Sequence, residues 1–137
     1  MKQEDRELLL KDLCARLPYG VIVETHDGNG HLNSIDQTIF GVELGINVCS
    51  VIRKNYSLED CKPYLLPLSS MTEEQKREYN RWKHMIPVCR YEYGDVVEEI
   101  ELYDSPESFE YLIQNHFDYR GLIERGLALD ATGKNIY

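Results

Sequence analysis

His26, Asp27 and His31 are the residues whose types and spacing first suggest chemistry. Two imidazoles and a carboxylate around one turn are donors that a divalent metal takes, and a metal held there activates water. A small metal-dependent hydrolase using His26, Asp27 and His31 is therefore one functional expectation, although no further ligand is indicated beside them. Cys14, Cys49, Cys61 and Cys89 form no CxxC pair. A cysteine nucleophile needs a partner histidine and an orienting group, and none accompanies them. Cys14 and Cys89 read as packing residues, and reduced thiols are expected throughout. Glu98 and Glu99 are adjacent on a strand pattern, so they point to opposite faces and form no acid–base pair. His84 and His116 terminate expected helices, where the dipole favours a cationic ring. GxSxG, phosphate-loop and GxGxxG patterns are absent, and Gly28-Asn29-Gly30 is too short to be one. No catalytic residue, cofactor or metal ligand is assigned, and an enzyme is not expected.

The charge distribution is more informative. Between Tyr91 and Tyr119 there is no lysine or arginine, while nine acids equal the net charge of -9. The rest of the chain balances, 15 acidic against 15 basic residues. A localised field steers a cationic partner better than a diffuse one. The expected function is a non-enzymatic protein-interaction module with an acidic surface over residues 91–119. Glu92, Asp95, Glu99, Glu101, Asp104, Glu107 and Glu110 form the candidate partner surface, and a basic protein is the expected partner. The competing interpretations are a solvated face that maintains solubility and a nucleic-acid mimic. A mimic needs denser acids, and Tyr103, Phe109, Tyr111 and Leu112 interrupt them here. Direct nucleic-acid binding is disfavoured, since the chain is acidic and has no basic tail.

The elements that position these residues follow from periodicity. A length of 137 residues suits one domain, 1–137. Residues 4–17 predict an amphipathic helix with Leu9, Leu13 and Leu17 on its stripe, widened by Leu10 and Cys14. Strands are expected over Gly20–His26 and His31–Asp36 around a turn at 27–30, then over Thr38–Leu44 and Asn47–Ile52. Residues 53–71 read as an irregular buried connector, because Pro63 and Pro67 bracket Tyr64, Leu65 and Leu66. A second helix runs from Thr72, with Gln75 completing a capping box, to about His84, turning Tyr79, Trp82 and Met85 or Ile86 inward.

Val88–Tyr93 and Val96–Tyr103 predict a hairpin about Gly94-Asp95 in a type II′ turn, with Tyr93 opposite Val96. Its core face is Cys89, Tyr91, Tyr93, Val96, Ile100 and Leu102, with Glu98 misplaced among them. A third helix starts at Ser105 with Pro106 first and ends near Phe117. The remainder reads as a tail, with Arg120 paired to Asp118 or a hairpin glutamate. The fold expected is α+β: an N-terminal helix, a curved antiparallel sheet or small barrel of 4–6 short strands, and two further helices packed on it. No apolar leader or membrane-length run is seen, so a cytoplasmic protein is expected.

Three blocks carry a resemblance: residues 7–21 (Glu7-Leu8-Leu9-Leu10 to Pro18-Tyr19-Gly20-Val21), residues 61–72 (Cys61-Lys62-Pro63-Tyr64-Leu65-Leu66-Pro67 onward), and His116-Phe117-Asp118-Tyr119-Arg120-Gly121 with Gly126-Leu127-Ala128-Leu129. Together they resemble a family of small uncharacterised proteins from gut Bacteroides genomes, their prophages and mobile elements. The segment 86–104 is longer here than in that family. The resemblance implies a bacterial, cytoplasmic, mobile-element setting and carries over no catalytic residue.

Overall fold

The computed structural model describes residues 1–40, 44–51 and 54–137. In chain order, α1 (Gln3–Arg16) precedes β1 (Ile22–Thr25), β2 (Gly28–Phe40), β3 (Leu44–Val51), β4 (Lys54–Ser57) and β5 (Lys62–Pro67). Next come α2 (Glu73–Arg81), β6 (His84–Glu92), β7 (Asp95–Tyr103), α3 (Pro106–Gln114), β8 (Phe117–Asp118) and β9 (Leu129–Asp130). The fold is α+β, as expected. Two compact units form: residues 1–70 with 116–137, and residues 71–115.

In the first unit, α1 buries Leu9 and Leu13, and Glu4 and Asp5 occupy its first turn, where the dipole favours acids. Its stripe continues as Asp12 and Arg16, both fully buried, whereas Cys14 is exposed. The expected packing role of Cys14 is thus corrected: a buried ion pair takes the inner face of that turn. The sheet is antiparallel in the order β4-β3-β2-β1-β5, and β8 and β9 both pair parallel to β5. It is mixed and open; among the described residues β4 pairs with neither β8 nor β9. A register break between Leu32 and Ser34 marks a bulge in β2, and bulges bend strands. Leu9, Leu13, Val21, Val23, Leu58 and Leu65 lie in its core.

Local chemistry moved several boundaries. Thr25 pairs with Gly28, so the first hairpin turns at His26–Asp27, and Asn29 and Gly30 belong to β2. The expected strands Thr38–Leu44 and Asn47–Ile52 overlap β2 and β3, with residues 41–43 and 52 outside the described residues. The expected connector contains β4 and β5. Tyr64 and Leu65 are buried, as expected, but they also pair: Leu66 N–H donates to the His116 carbonyl and Leu65 C=O accepts from Ala131, both at 2.8 Å. Pro63 and Pro67 sit toward the strand's ends, where a missing N–H costs least.

In the second unit, the Thr72–Gln75 capping box forms as expected and starts α2. This helix ends at Arg81; His84 already belongs to β6. Trp82, Met85 and Ile86, expected to face inward, are exposed. The β6–β7 hairpin pairs Tyr91 with Val96 and Glu92 with Asp95, closing on Tyr93 and Gly94 rather than Gly94 and Asp95. Both turn residues take positive φ, 50° and 87°, which is the requirement of a type I′ turn and corrects the expected II′. The offset from the expected register is even, so every side chain keeps its face. Cys89, Tyr91, Val96, Glu98, Ile100 and Leu102 share one side as anticipated, with Met85 added from the lengthened strand and Tyr93 lost to the turn, but that side is open: Tyr91 is 84% exposed and Ile100 69%. It is therefore not a core face. The hairpin forms a sheet of its own, and among the described residues no third strand pairs with it. At α3, Ser105 caps Ser108 and Pro106 opens the helix.

Candidate functional site

The hairpin register sorts the acidic stretch. Glu92 and Asp95 face each other at the closed end, while Glu99 lies opposite Val88 and Glu101 opposite Ile86. Strand alternation puts these four carboxylates on one side, opposite the apolar side that holds Glu98. Arg90 shares their side, forms an ion pair with Glu99 and lies 3.5 Å from Glu101. Glu101 also accepts from the Tyr103 hydroxyl, which raises the phenol's pKa. Among the described residues Arg90 is the one base ion-paired to this acidic side. Asp104, beyond β7, accepts from the Tyr79 hydroxyl and, at 3.0 Å, from Ser108 Oγ. Burial and that bond raise the pKa of the Tyr79 phenol.

Glu107 and Glu110 lie away from the ladder, on α3. With Tyr111 and Gln114 they follow the spacing of one helix face, and with Trp82 and Pro106 they line a recess of about 390 Å³. Trp82, the C-cap of α2, is held there by its backbone: its N–H donates to Tyr79 O at 3.2 Å, and its carbonyl accepts from Ser105 Oγ. Tyr111 stacks on Tyr79 with centroids 6.3 Å apart, and Lys83 Nζ sits 4.3 Å over the Tyr79 ring. Burial and the Glu78 and Glu74 carboxylates raise the Tyr111 phenol. This recess was missed in the sequence because Trp82 looked like a core residue and 28 positions separate it from Glu110. A half-formed signal was present: 107, 110, 111 and 114 are spaced for one helix side.

His26 and Asp27 are adjacent at the first hairpin turn, where Nε2 lies 3.5 Å from Asp27 Oδ2. The other ring nitrogen contacts Asp60, which also accepts the His26 backbone N–H at 3.1 Å. Tyr56 donates to Asp27 at 2.9 Å, and Lys54 approaches it to 3.6 Å. The Asp60 hydrogen bond raises the His26 pKa, and the Tyr56 hydrogen bond lowers that of Asp27. His31 is not brought to this group. It pairs with Ile22, three rungs from the turn or roughly 10 Å along the strand. Its Nδ1 lies 3.1 Å from the Gly20 carbonyl. Among the described residues no three His, Cys, Asp or Glu side chains are grouped as a metal site.

Cys49 and Cys61 are buried, whereas Cys89, expected on a core face, is exposed. The string His116 to Gly121 has a structural task. Phe117 is fully buried, and Asp118 accepts the Leu122 and Ile123 backbone N–H groups at 2.9 Å each. Arg16 donates to Asp12 at 2.8 Å and to the Phe117 carbonyl at 2.5 Å. Arg120 lies 3.2 Å from Asp12, not beside Asp118 or a hairpin glutamate, because the inner end of α1 carries a buried carboxylate oxygen that accepts no hydrogen bond. The contact is ionic and poorly aligned as a hydrogen bond. His116 is not the cationic helix end expected: its ring stacks on Tyr137 at 3.5 Å, and burial with Arg16 nearby lowers its pKa to about 4.

No protein-family model, curated protein or solved structure matches the chain. Among the described residues no helix is long and apolar enough to cross a membrane.

Proposed function

We propose that the chain is a non-enzymatic interaction module that docks a basic protein through the acidic side of its β6–β7 hairpin. One observation carries this: Glu92, Asp95, Glu99 and Glu101 share a single side, and among the described residues Arg90 is the one guanidinium ion-paired there. Like charges directly opposite across a ladder destabilise it, so Glu92 facing Asp95 favours an added cation between them. Asp104, Glu107 and Glu110 extend the negative potential beyond the hairpin. Such a surface accelerates encounter with a basic partner and repels nucleic acid. The resemblance of three sequence blocks to proteins of prophages and mobile elements supports a cytoplasmic accessory role in such an element.

The test is affinity for a lysine- and arginine-rich peptide, measured by fluorescence anisotropy of the labelled peptide. Replacing Glu92→Gln, Asp95→Asn, Glu99→Gln and Glu101→Gln together should weaken binding by about fourfold or more, at about 0.2–1 kcal/mol per exposed pair. Equal affinity in the two proteins would remove the hairpin as the docking side.

A further inference from the structure

Resting on that reading, we propose that the recess lined by Trp82, Pro106, Glu107, Glu110, Tyr111 and Gln114 receives an arginine side chain of the basic partner. Its volume, about 390 Å³, lies at the small end of ligand pockets and suits one side chain better than a cofactor. The lining sets an indole and a phenol ring beside two carboxylates and an amide. An aromatic face attracts a cation through its quadrupole, and a carboxylate accepts two parallel N–H bonds from a guanidinium.

Charge complementarity selects the occupant. Among the described residues no lysine or arginine lines the recess, and the sequence from Tyr91 to Tyr119 contains none. The adjoining aromatic pair already holds a cation, since Lys83 Nζ stands 4.3 Å over Tyr79 while Tyr79 stacks on Tyr111. The recess therefore continues an aromatic surface that already carries a cation–π contact. Glu74 and Glu78 add to the negative potential felt at Tyr111. Arginine is preferred to lysine because its weakly hydrated planar fork stacks on rings and bridges carboxylates, whereas a lysine ammonium is compact and strongly hydrated. Trp82 is half exposed, so a guanidinium reaches its ring without opening the fold. The Ser105 hydroxyl pins the Trp82 carbonyl, so the aromatic wall stands in place before binding.

Trp82 is the only tryptophan and reports its own occupancy. The indole N–H resonance is followed while N-acetyl-arginine methylamide is added to the full chain, with the lysine and citrulline analogues as parallel probes. The arginine probe should shift the resonance saturably, the lysine probe should bind about threefold or more weakly, and neutral citrulline should leave it unmoved. Glu107→Gln with Glu110→Gln should weaken the arginine response by about tenfold, without changing the far-UV circular dichroism. Equal responses to arginine and citrulline, equal responses to arginine and lysine, or no response at all would each overturn the assignment.

The two proposals fail separately. If the hairpin substitutions weaken a basic peptide while Glu107→Gln with Glu110→Gln does not, the pocket falls and the acidic hairpin stands. If the arginine probe moves the Trp82 resonance but the hairpin substitutions leave peptide affinity unchanged, the pocket stands and the hairpin falls.

Discussion

Ser105 donates its hydroxyl to the Trp82 carbonyl, so the N-cap of α3 holds the C-cap residue of α2. The same oxygen accepts the Ser108 backbone N–H at 3.0 Å. One buried hydroxyl thus closes the loop that carries the hairpin and fixes a wall of the recess. Ser105→Ala should cost about 1–2 kcal/mol, combining a lost cap with an unpaired carbonyl. Urea unfolding checks the stability, and the Trp82 indole resonance should broaden or shift. An unchanged midpoint would show that the cap is dispensable.

Glu92 and Asp95 are like charges paired across the hairpin. Asp95→Asn should stabilise the protein by about 0.2–1 kcal/mol while weakening attachment of a basic peptide. Gain of stability with loss of binding is the signature of a surface that holds charge for a partner. Thermal melts and peptide anisotropy on the same variant measure both. A loss of stability would show that the pair is compensated within the chain.

Phe117 is fully buried at the β5–β8 pairing, and Phe117→Ala should cost about 3–5 kcal/mol. Asp118→Asn would also be costly. Its two oxygens accept two backbone N–H groups, and asparagine keeps one acceptor, giving a loss of about 1–2 kcal/mol. Denaturant midpoints of the two variants give the ranking directly.

Two histidines should make opposite contributions to the pH dependence of stability. The folded pKa of His116 is lowered to about 4, so the unfolded chain binds more protons between its ordinary value near 6.5 and 4. Its contribution is present above about pH 6.5 and is lost as the pH falls through that window. The folded pKa of His26 is raised, chiefly by Asp60, so its contribution is present below about pH 6.5 and is lost as the pH rises through the folded value. NMR titration should place His26 above and His116 well below the ordinary midpoint. Asp60→Asn should return His26 toward that midpoint and leave His116 in place.

Features set by neighbouring residues were legible in the sequence. The Thr72–Gln75 box, Pro106 at the start of α3 and the Leu9–Leu13 stripe each depend on residues within one turn. Hairpin faces were legible because alternation survives an even register offset, so Glu92, Glu99 and Glu101 keep a common side, while Asp95, expected in the turn, joins them as the partner of Glu92. The turn was misread because Tyr93 takes a positive φ that side chains seldom adopt. β5 was hidden by Pro63 and Pro67, whose strand partners come from distant residues: Leu66 bonds to His116, fifty positions later. Buried Arg16 was missed because a search for apolar periodicity passes over charge. The Asp12–Arg16 spacing of four was the available clue. The recess depends on two helix ends joined through Ser105, a contact that no local pattern encodes.

The salt dependence of binding to an arginine-rich peptide tests the acidic docking face most directly. Raising ionic strength from about 0.1 M to about 1 M shortens the Debye length from about 10 Å to about 3 Å. If Glu92, Asp95, Glu99 and Glu101 hold the peptide, its dissociation constant should rise by about tenfold or more over that range. The rise should flatten when those four carboxylates are neutralised. An affinity that is unchanged by salt, or that increases with it, would contradict docking on the acidic side and move the contact to the open apolar side of Tyr91, Val96 and Ile100.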